Sequence, residues 1–373
     1  MILKAKNFTN LILLPVLCWA CIGQFSSVDA ASRTYRRPDL LDSQHKFLPE
    51  NDDVQGRDGD EPSGALTLYP NADGKQRPEP RLYRKDALSE EELRRRLSSR
   101  CVILMDGLTG QVIYEQSSDL PAQPASTIKV LTGLIAIQSL RDQDLVPVSR
   151  RAANMPRSKV YLQRSKSYHA DDLINAVLLS SANDASVALA EKIAGSEKVF
   201  SKLMTHKARA WGATNTVCKT ATGLTARGQQ TTARDLAILF NRAMDNDEFA
   251  MRVGQSKVKT GFGKVLRNHN KALWEIDGTE GGKTGYTKAA RQTYVGKFKR
   301  GDDEMLLALL GSETMWDDIK TLVSYGFEAM AASDQEHSAG KGAGNPDSFL
   351  LPVSLDPGCS LQVLSDQKKA SLL

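Results

Sequence analysis

Ser126 and Lys129 stand three residues apart in the run Ser126-Thr127-Ile128-Lys129. On a helix that spacing puts both side chains on one face, where an amine can reach a hydroxyl. A serine hydroxyl is a poor nucleophile until a neighbour takes its proton, and a lysine can do so only as the neutral amine. The pair therefore describes acyl transfer through a seryl ester with lysine as base. Alone the pattern is weak, because it recurs at Ser43/Lys46, Ser256/Lys259, Ser338/Lys341 and Ser365/Lys368. Only Ser126 opens a long apolar-periodic segment, Val130, Leu131, Leu134, Ile135 and Ile137, which predicts a helix with an inward face. Pro124 and Ser126 supply its start signal. A serine in the first turn has unpaired backbone N–H groups close by to hold a developing oxyanion.

Two further triplets follow in order. Ser181-Ala182-Asn183 lies between the apolar runs Leu173–Leu179 and Val187–Ile193, which predicts a loop between two buried helices, with a helix cap as the plain alternative. Lys-Thr-Gly occurs at Lys259-Thr260-Gly261 and at Lys283-Thr284-Gly285. The second copy is the better candidate: it follows a turn-rich stretch and precedes Tyr294–Phe298 and Met305–Leu310, which read as strands paired around Arg300-Gly301-Asp302-Asp303. An edge strand carrying glycine lets a peptide backbone lie close alongside.

The three motifs together resemble those of penicillin-binding proteins and serine β-lactamases, and more specifically the low-molecular-mass D-alanyl-D-alanine carboxypeptidases. Pro124 to Lys129, Ser181 to Ala185, Thr222-Gly223-Leu224, Thr231 to Leu236, Asn268-His269-Asn270 and Gly282 to Thr287 all resemble blocks of that family. The similarity runs from about Ser99 to Met330. It implies an α/β (α+β) fold of the β-lactamase/transpeptidase type, an antiparallel sheet covered by helices with an inserted helical lobe.

The resemblance also implies roles. Ser126 attacks the carbonyl between two D-alanines, Lys129 is its base, and Ser181 relays a proton to the departing amine. Asn183 binds the substrate's peptide chain and orients Lys129, while Lys283 and Thr284 hold the free carboxylate. Gly285 and Tyr286 complete the substrate strand, with the N–H groups of Ser126 and Tyr286 as oxyanion hole and the Thr287 hydroxyl as a further polar contact. Burial and the charge of Lys283 both favour the neutral form of Lys129. Two departures stand out: Ala290-Arg291 replaces the family's Ala-Gly, and Gly311-Ser312-Glu313 lacks an arginine that some relatives carry.

The elements that must position these residues begin with Ser89 to Leu97, a short helix with a capping-box start. Strands at Val102–Met105 and Gln111–Tyr114 are joined by a turn at Asp106 to Gly110. Helices are expected at Val199–Trp211 and Ala233–Met244. Strand, strand, helices and strands imply one sheet whose edges come from both ends of the domain.

The ends read differently. Lys4 and Lys6, the apolar stretch Leu11–Gly23 and Val28-Asp29-Ala30 predict a cleaved secretory signal over residues 1–30, shorter than the roughly 20 apolar residues of a membrane span. Residues 31–88 have the Pro, Gly, Asp and Arg content of a disordered linker, 89–330 form the peptidase domain, and 331–373 read as a polar, largely disordered tail. Export to the periplasm or an extracytoplasmic wall space is expected, without a stable membrane anchor. Without the signal, Cys101, Cys218 and Cys359 remain, an odd number that excludes a fully paired framework.

The five histidines are scattered and no metal-ligand cluster is apparent, so neither metal nor cofactor is expected. A net charge of +5 gives little support to nucleic-acid binding. The expected partners are peptidoglycan stem peptides, with β-lactam antibiotics as covalent inhibitors. The alternatives are a DD-endopeptidase acting on cross-links, a serine β-lactamase, and a non-catalytic wall-binding protein. No Glu-x-x-Leu-Asn lies between Asn183 and Lys283 to activate the deacylating water of a β-lactamase, and a binding module has no need of a lysine base.

Overall fold

The structure is a computed structural model that describes residues 88–342, with side chains as far as residue 332. The expected signal segment, the linker up to residue 87 and the chain beyond 342, including Cys359, lie outside the described residues. Helix α1 (Glu90–Arg96) starts at Ser89, whose hydroxyl accepts from the Glu92 N–H, and the Glu92 carboxylate answers to the Ser89 N–H. Strands β1 (Cys101–Asp106) and β2 (Val112–Gln116) form the expected hairpin, and Asp106 closes its turn by accepting from the N–H groups of Leu108 and Thr109.

A 3-10 turn, Ala125–Ile128, feeds directly into α2 (Lys129–Ser139). Next come β3 (Leu145–Pro147), α3 (Arg150–Ala153), β4 (Ser167–His169), α4 (Ala170–Leu178), α5 (Asn183–Ala194) and α6 (Glu197–Ala210), which build a helical lobe. Helices α7 (Ala233–Met244) and α8 (Asp247–Val253) lead to a small hairpin, β5 (Lys257–Lys259) and β6 (Val265–Arg267), and to α9 (Ala272–Glu275). The chain then returns to the sheet through β7 (Thr279–Thr287), β8 (Arg291–Arg300) and β9 (Asp303–Ser312), and leaves by α10 (Met315–Gly342).

The main sheet is antiparallel in the order β2-β1-β9-β8-β7, so its two edges come from opposite ends of the domain, as the order of elements implies. Every residue of β1 is buried, because the sheet is covered on both faces. The two-residue period sorts them. Cys101, Ile103 and Met105 join Leu306, Ala308 and Leu310 of β9 in a core shared with α2, α4, α5 and α7. Val102 and Leu104 join Met305, Leu307 and Leu309 in a second core, under α10 and Leu93 of α1.

Helix α2 is buried from Lys129 to Ile137, as befits a helix surrounded by others. Val130, Leu134 and Ile137 face the shared core, while Leu131 and Ile135 face a third cluster with Phe200 and Met204 of α6. Helix α10 runs to Gly342, past the Met330 boundary that composition suggests.

Candidate active site

Ser126 sits in the 3-10 turn rather than in a first α-turn, directly after Ala125, which has a positive φ of 49°. The turn is anchored by Pro124, whose carbonyl accepts from the hydroxyls of Thr127 at 2.5 Å and of Thr293 of β8 at 3.0 Å. Lys129, the next turn along, is fully buried. Its Nζ lies 2.9 Å from Ser126 Oγ, 2.8 Å from Asn183 Oδ1 and 2.6 Å from the carbonyl oxygen of Thr222.

The last two partners are acceptors only. A neutral Lys129 therefore donates both its hydrogens to Asn183 and Thr222 and turns its lone pair to the Ser126 hydroxyl. The amine is held well below its ordinary pKa, first by burial and then by the charge of Lys283. Asn183 is oriented by chemistry alone: its Nδ2 donates to the carbonyls of Pro156 and Arg157, each at 3.1 Å, so its oxygen must face the lysine. This amide group is thus engaged at both ends by the protein.

Ser181 and Asn183 come from the link between α4 and α5, as the sequence predicts, with Asn183 already the first residue of α5. Neither caps the helix: Ala182 occupies that position and makes no side-chain bond. Ser181 has φ of 55°, a left-handed conformation that costs a non-glycine residue and concentrates at functional sites. The adjacent Asp184 is buried and accepts from the N–H groups of Val160 and Leu162, which fixes the loop facing the cleft.

Lys283, Thr284, Gly285 and Tyr286 lie on β7, an edge strand. Lys283 is buried and donates to Ser181 Oγ at 3.1 Å and to the Thr284 carbonyl at 3.0 Å. Burial pushes its pKa down to about 7. Gly285 has a steric reason: a Cβ there would stand 2.7 Å from the Ser126 nitrogen and 2.5 Å from Thr293 Oγ1. Tyr286 is mostly exposed at the rim. Thr287 accepts from the Thr225 hydroxyl at 3.0 Å. The other Lys-Thr-Gly copy ends β5, with Lys259 exposed and the Gly261 N–H bonded to Asp172.

A cleft of about 940 Å³ joins Ser126, Ser181, Asn183, Thr284, Gly285 and Tyr286. His269 also lines it. One contributor has no side chain to mark it in a sequence, the Thr222 carbonyl; its signal is Gly223, whose φ of 77° and approach to the Ala125 backbone exclude a side chain. Arg291 has a φ of 57°, which explains why glycine would suit that position. Its guanidinium pairs with Glu313 at 2.6 Å and not with the cleft.

A serine hydroxyl beside a buried lysine amine, set between a helical lobe and an antiparallel edge strand, is an arrangement suited to a serine acyl-transferring peptidase. Residues 87–314 match the family model of the D-alanyl-D-alanine carboxypeptidases, peptidase family S11. The chain belongs to this family of serine peptidases. It is 34% identical over 236 residues to D-alanyl-D-alanine carboxypeptidase DacB2 of Mycobacterium tuberculosis, covering 60% of this chain and 81% of that one. It is 31% identical to DacF of Bacillus subtilis, covering 67% of this chain and 64% of the relative, so it spans less than two thirds of that protein. Among solved structures, a D-alanyl-D-alanine carboxypeptidase from Mycobacterium tuberculosis H37Rv superposes with a TM-score of 0.59 at 33% identity over 62% of this chain and 91% of its own. Penicillin-binding protein D2 from Listeria monocytogenes in its ampicillin-bound form gives 0.57 at 26% identity over 62% and 98%. The fold is thus the mixed α/β penicillin-binding, transpeptidase-like one.

Proposed function

We propose that this chain is a serine D-alanyl-D-alanine carboxypeptidase that removes the terminal D-alanine from peptidoglycan stem peptides, with residues 89–330 as its catalytic domain. The observation that carries this reading is the placement of Lys129 Nζ, 2.9 Å from Ser126 Oγ, with two acceptor-only partners on its other side.

Ser126 Oγ attacks the carbonyl between the two D-alanines and passes its proton to Lys129. The Ser126 and Tyr286 N–H groups hold the oxyanion, which the clearance at Gly285 supports. The proton reaches the departing amine through Ser181, the C–N bond breaks, and D-alanine leaves an acyl ester that water hydrolyses. Protonated Lys283, with Thr284, takes the terminal carboxylate. Asn183 acts chiefly on Lys129, since its amide hydrogens are already committed.

β-Lactams acylate the same serine and, without a glutamate of the β-lactamase kind, leave slowly. The ampicillin- and cefotaxime-bound forms of the Listeria protein support β-lactam binding. The basic, apolar start of the chain supports export to the periplasm or wall space; no described helix is long and apolar enough to cross a membrane.

One observation favours a second reading, cleavage of cross-links: Arg291, the cross-strand partner of Thr287 at the end of β7, is paired with Glu313, leaving the carboxylate clamp to Lys283 and Thr284. One experiment tests both. Mass spectrometry after benzylpenicillin should find a covalent adduct on Ser126, absent in S126A. Pentapeptide should lose D-alanine faster than cross-linked muropeptides are cut; the reverse order selects the endopeptidase. No adduct on folded protein sinks the reading.

A further inference from the structure

The cleft is lined by four cations, Arg157, Lys257, Arg267 and Lys271, and by no aspartate or glutamate. None of the four has a carboxylate within ion-pair distance among the described residues, whereas Arg234, Arg252, Arg291 and Lys297 elsewhere all do. Two of them face each other: Lys257 on β5 is the cross-strand partner of Arg267 on β6. Like charges directly opposite in an antiparallel pair are destabilising. The register that imposes this is fixed, because Leu266 is buried in the shared core and Val258 packs against it. A one-residue slip would turn the apolar pair outward.

The backbone ties these cations to the chemistry. The Arg267 carbonyl accepts from Ser180 Oγ at 3.2 Å, next to Ser181, and the Arg157 carbonyl accepts from Asn183 Nδ2 at 3.1 Å. Their side chains remain exposed. A one-signed cleft concentrates ligands of the opposite sign. The terminal carboxylate of a D-alanyl-D-alanine peptide already has Lys283, so these cations have no use for it.

We propose that Lys257, Arg267 and Arg157 form a second anion site in the cleft, which takes a carboxylate carried by the peptide upstream of the scissile D-alanyl-D-alanine unit. The inference rests on the carboxypeptidase reading and names its substrate class: acidic rather than neutral stem peptides. The cross-strand cation pair is relieved when the acidic residue docks.

The test uses the full chain and two synthetic peptides ending in D-alanyl-D-alanine that differ only by Glu or Gln at an upstream residue, with D-alanine release as readout. The acidic peptide should have the higher kcat/KM by about fivefold, the upper end for one solvent-facing charge pair. That ratio should shrink as salt is raised. K257Q/R267Q should bring it close to one, while K259Q, on the same hairpin but outside the cleft lining, should preserve it. Benzylpenicillin acylation checks that the double variant is folded; if it is not, R157Q is judged by the same lowered ratio. A wild-type ratio of one, or a ratio that survives the substitutions, overturns the site while D-alanine release leaves the carboxypeptidase reading standing. No release from either peptide and no penicillin adduct overturn both.

Discussion

Asn183 Oδ1 and Lys129 Nζ are 2.8 Å apart, and the same amide's nitrogen is bound to the carbonyls of Pro156 and Arg157. The orientation of the base is therefore set by the loop across the cleft. N183D keeps the shape but puts an anion beside the amine, which raises the lysine's pKa. Benzylpenicillin acylation at pH 7 should fall at least tenfold and recover as pH is raised. Thermal stability should also drop, by about 1–3 kcal/mol, since two carbonyls lose their donor. An unchanged acylation profile would refute the role.

Lys283 sits at about 7 and helps hold Lys129 low. The free enzyme should therefore show a bell-shaped kcat/KM: a rise as Lys129 deprotonates, then a fall above about pH 7 as Lys283 loses the charge that binds the carboxylate. Removing that charge in K283M should move the acid limb of acylation to higher pH.

The same residue sets a stability trend. Its folded pKa lies below the ordinary 10.5, so from about pH 7 upward the unfolded chain holds more protons and stability rises with pH. Below about 7 the penalty is fully present. Between pH 7 and 9 the Tm of the wild type should rise relative to that of K283M; parallel curves would contradict the burial of this charge.

A methyl group at position 285 collides with the Ser126 nitrogen and the Thr293 hydroxyl. G285A should lower the acylation rate by about 10²–10³, the loss seen when an oxyanion donor is misplaced. Circular dichroism should remain that of a folded protein. Acylation at the wild-type rate would show that the strand does not limit the oxyanion geometry.

Arg252, buried at the end of α8, binds Asp171 at 2.5 Å, Asn175 at 2.8 Å, Glu248 at 2.8 Å and Asp142 at 3.1 Å. It gathers α4, α8 and the segment before β3. Its acidic partners reach solvent, which moderates the cost of losing it. R252M should lower stability by about 1–3 kcal/mol in denaturant titration while the Ser126 adduct still forms.

Much of this arrangement is legible in the sequence because each motif sits beside an apolar run that fixes its element. The run Val130 to Ile137 puts Lys129 inside a buried helix, and Leu173–Leu179 delivers Ser181 to a loop. The unreadable parts depend on backbone geometry. The positive φ of Ala125 and the 3-10 turn that carries Ser126 are backbone features that no residue type announces. The Thr222 carbonyl is an acceptor that every residue possesses, so only its distance to Lys129 gives it a role. The basic cleft wall was invisible for another reason: Arg157, Lys257 and Arg267 are scattered in sequence and meet only through the fold.

The apolar cluster that holds Ile103 and Leu306 of the sheet also holds Leu173 and Val187 of the lobe. The lobe is consequently not a module that could be excised, grafted or permuted away from its scaffold. Any cut between them would expose hydrocarbon on both halves, so heating should abolish penicillin labelling and secondary structure in a single cooperative melt.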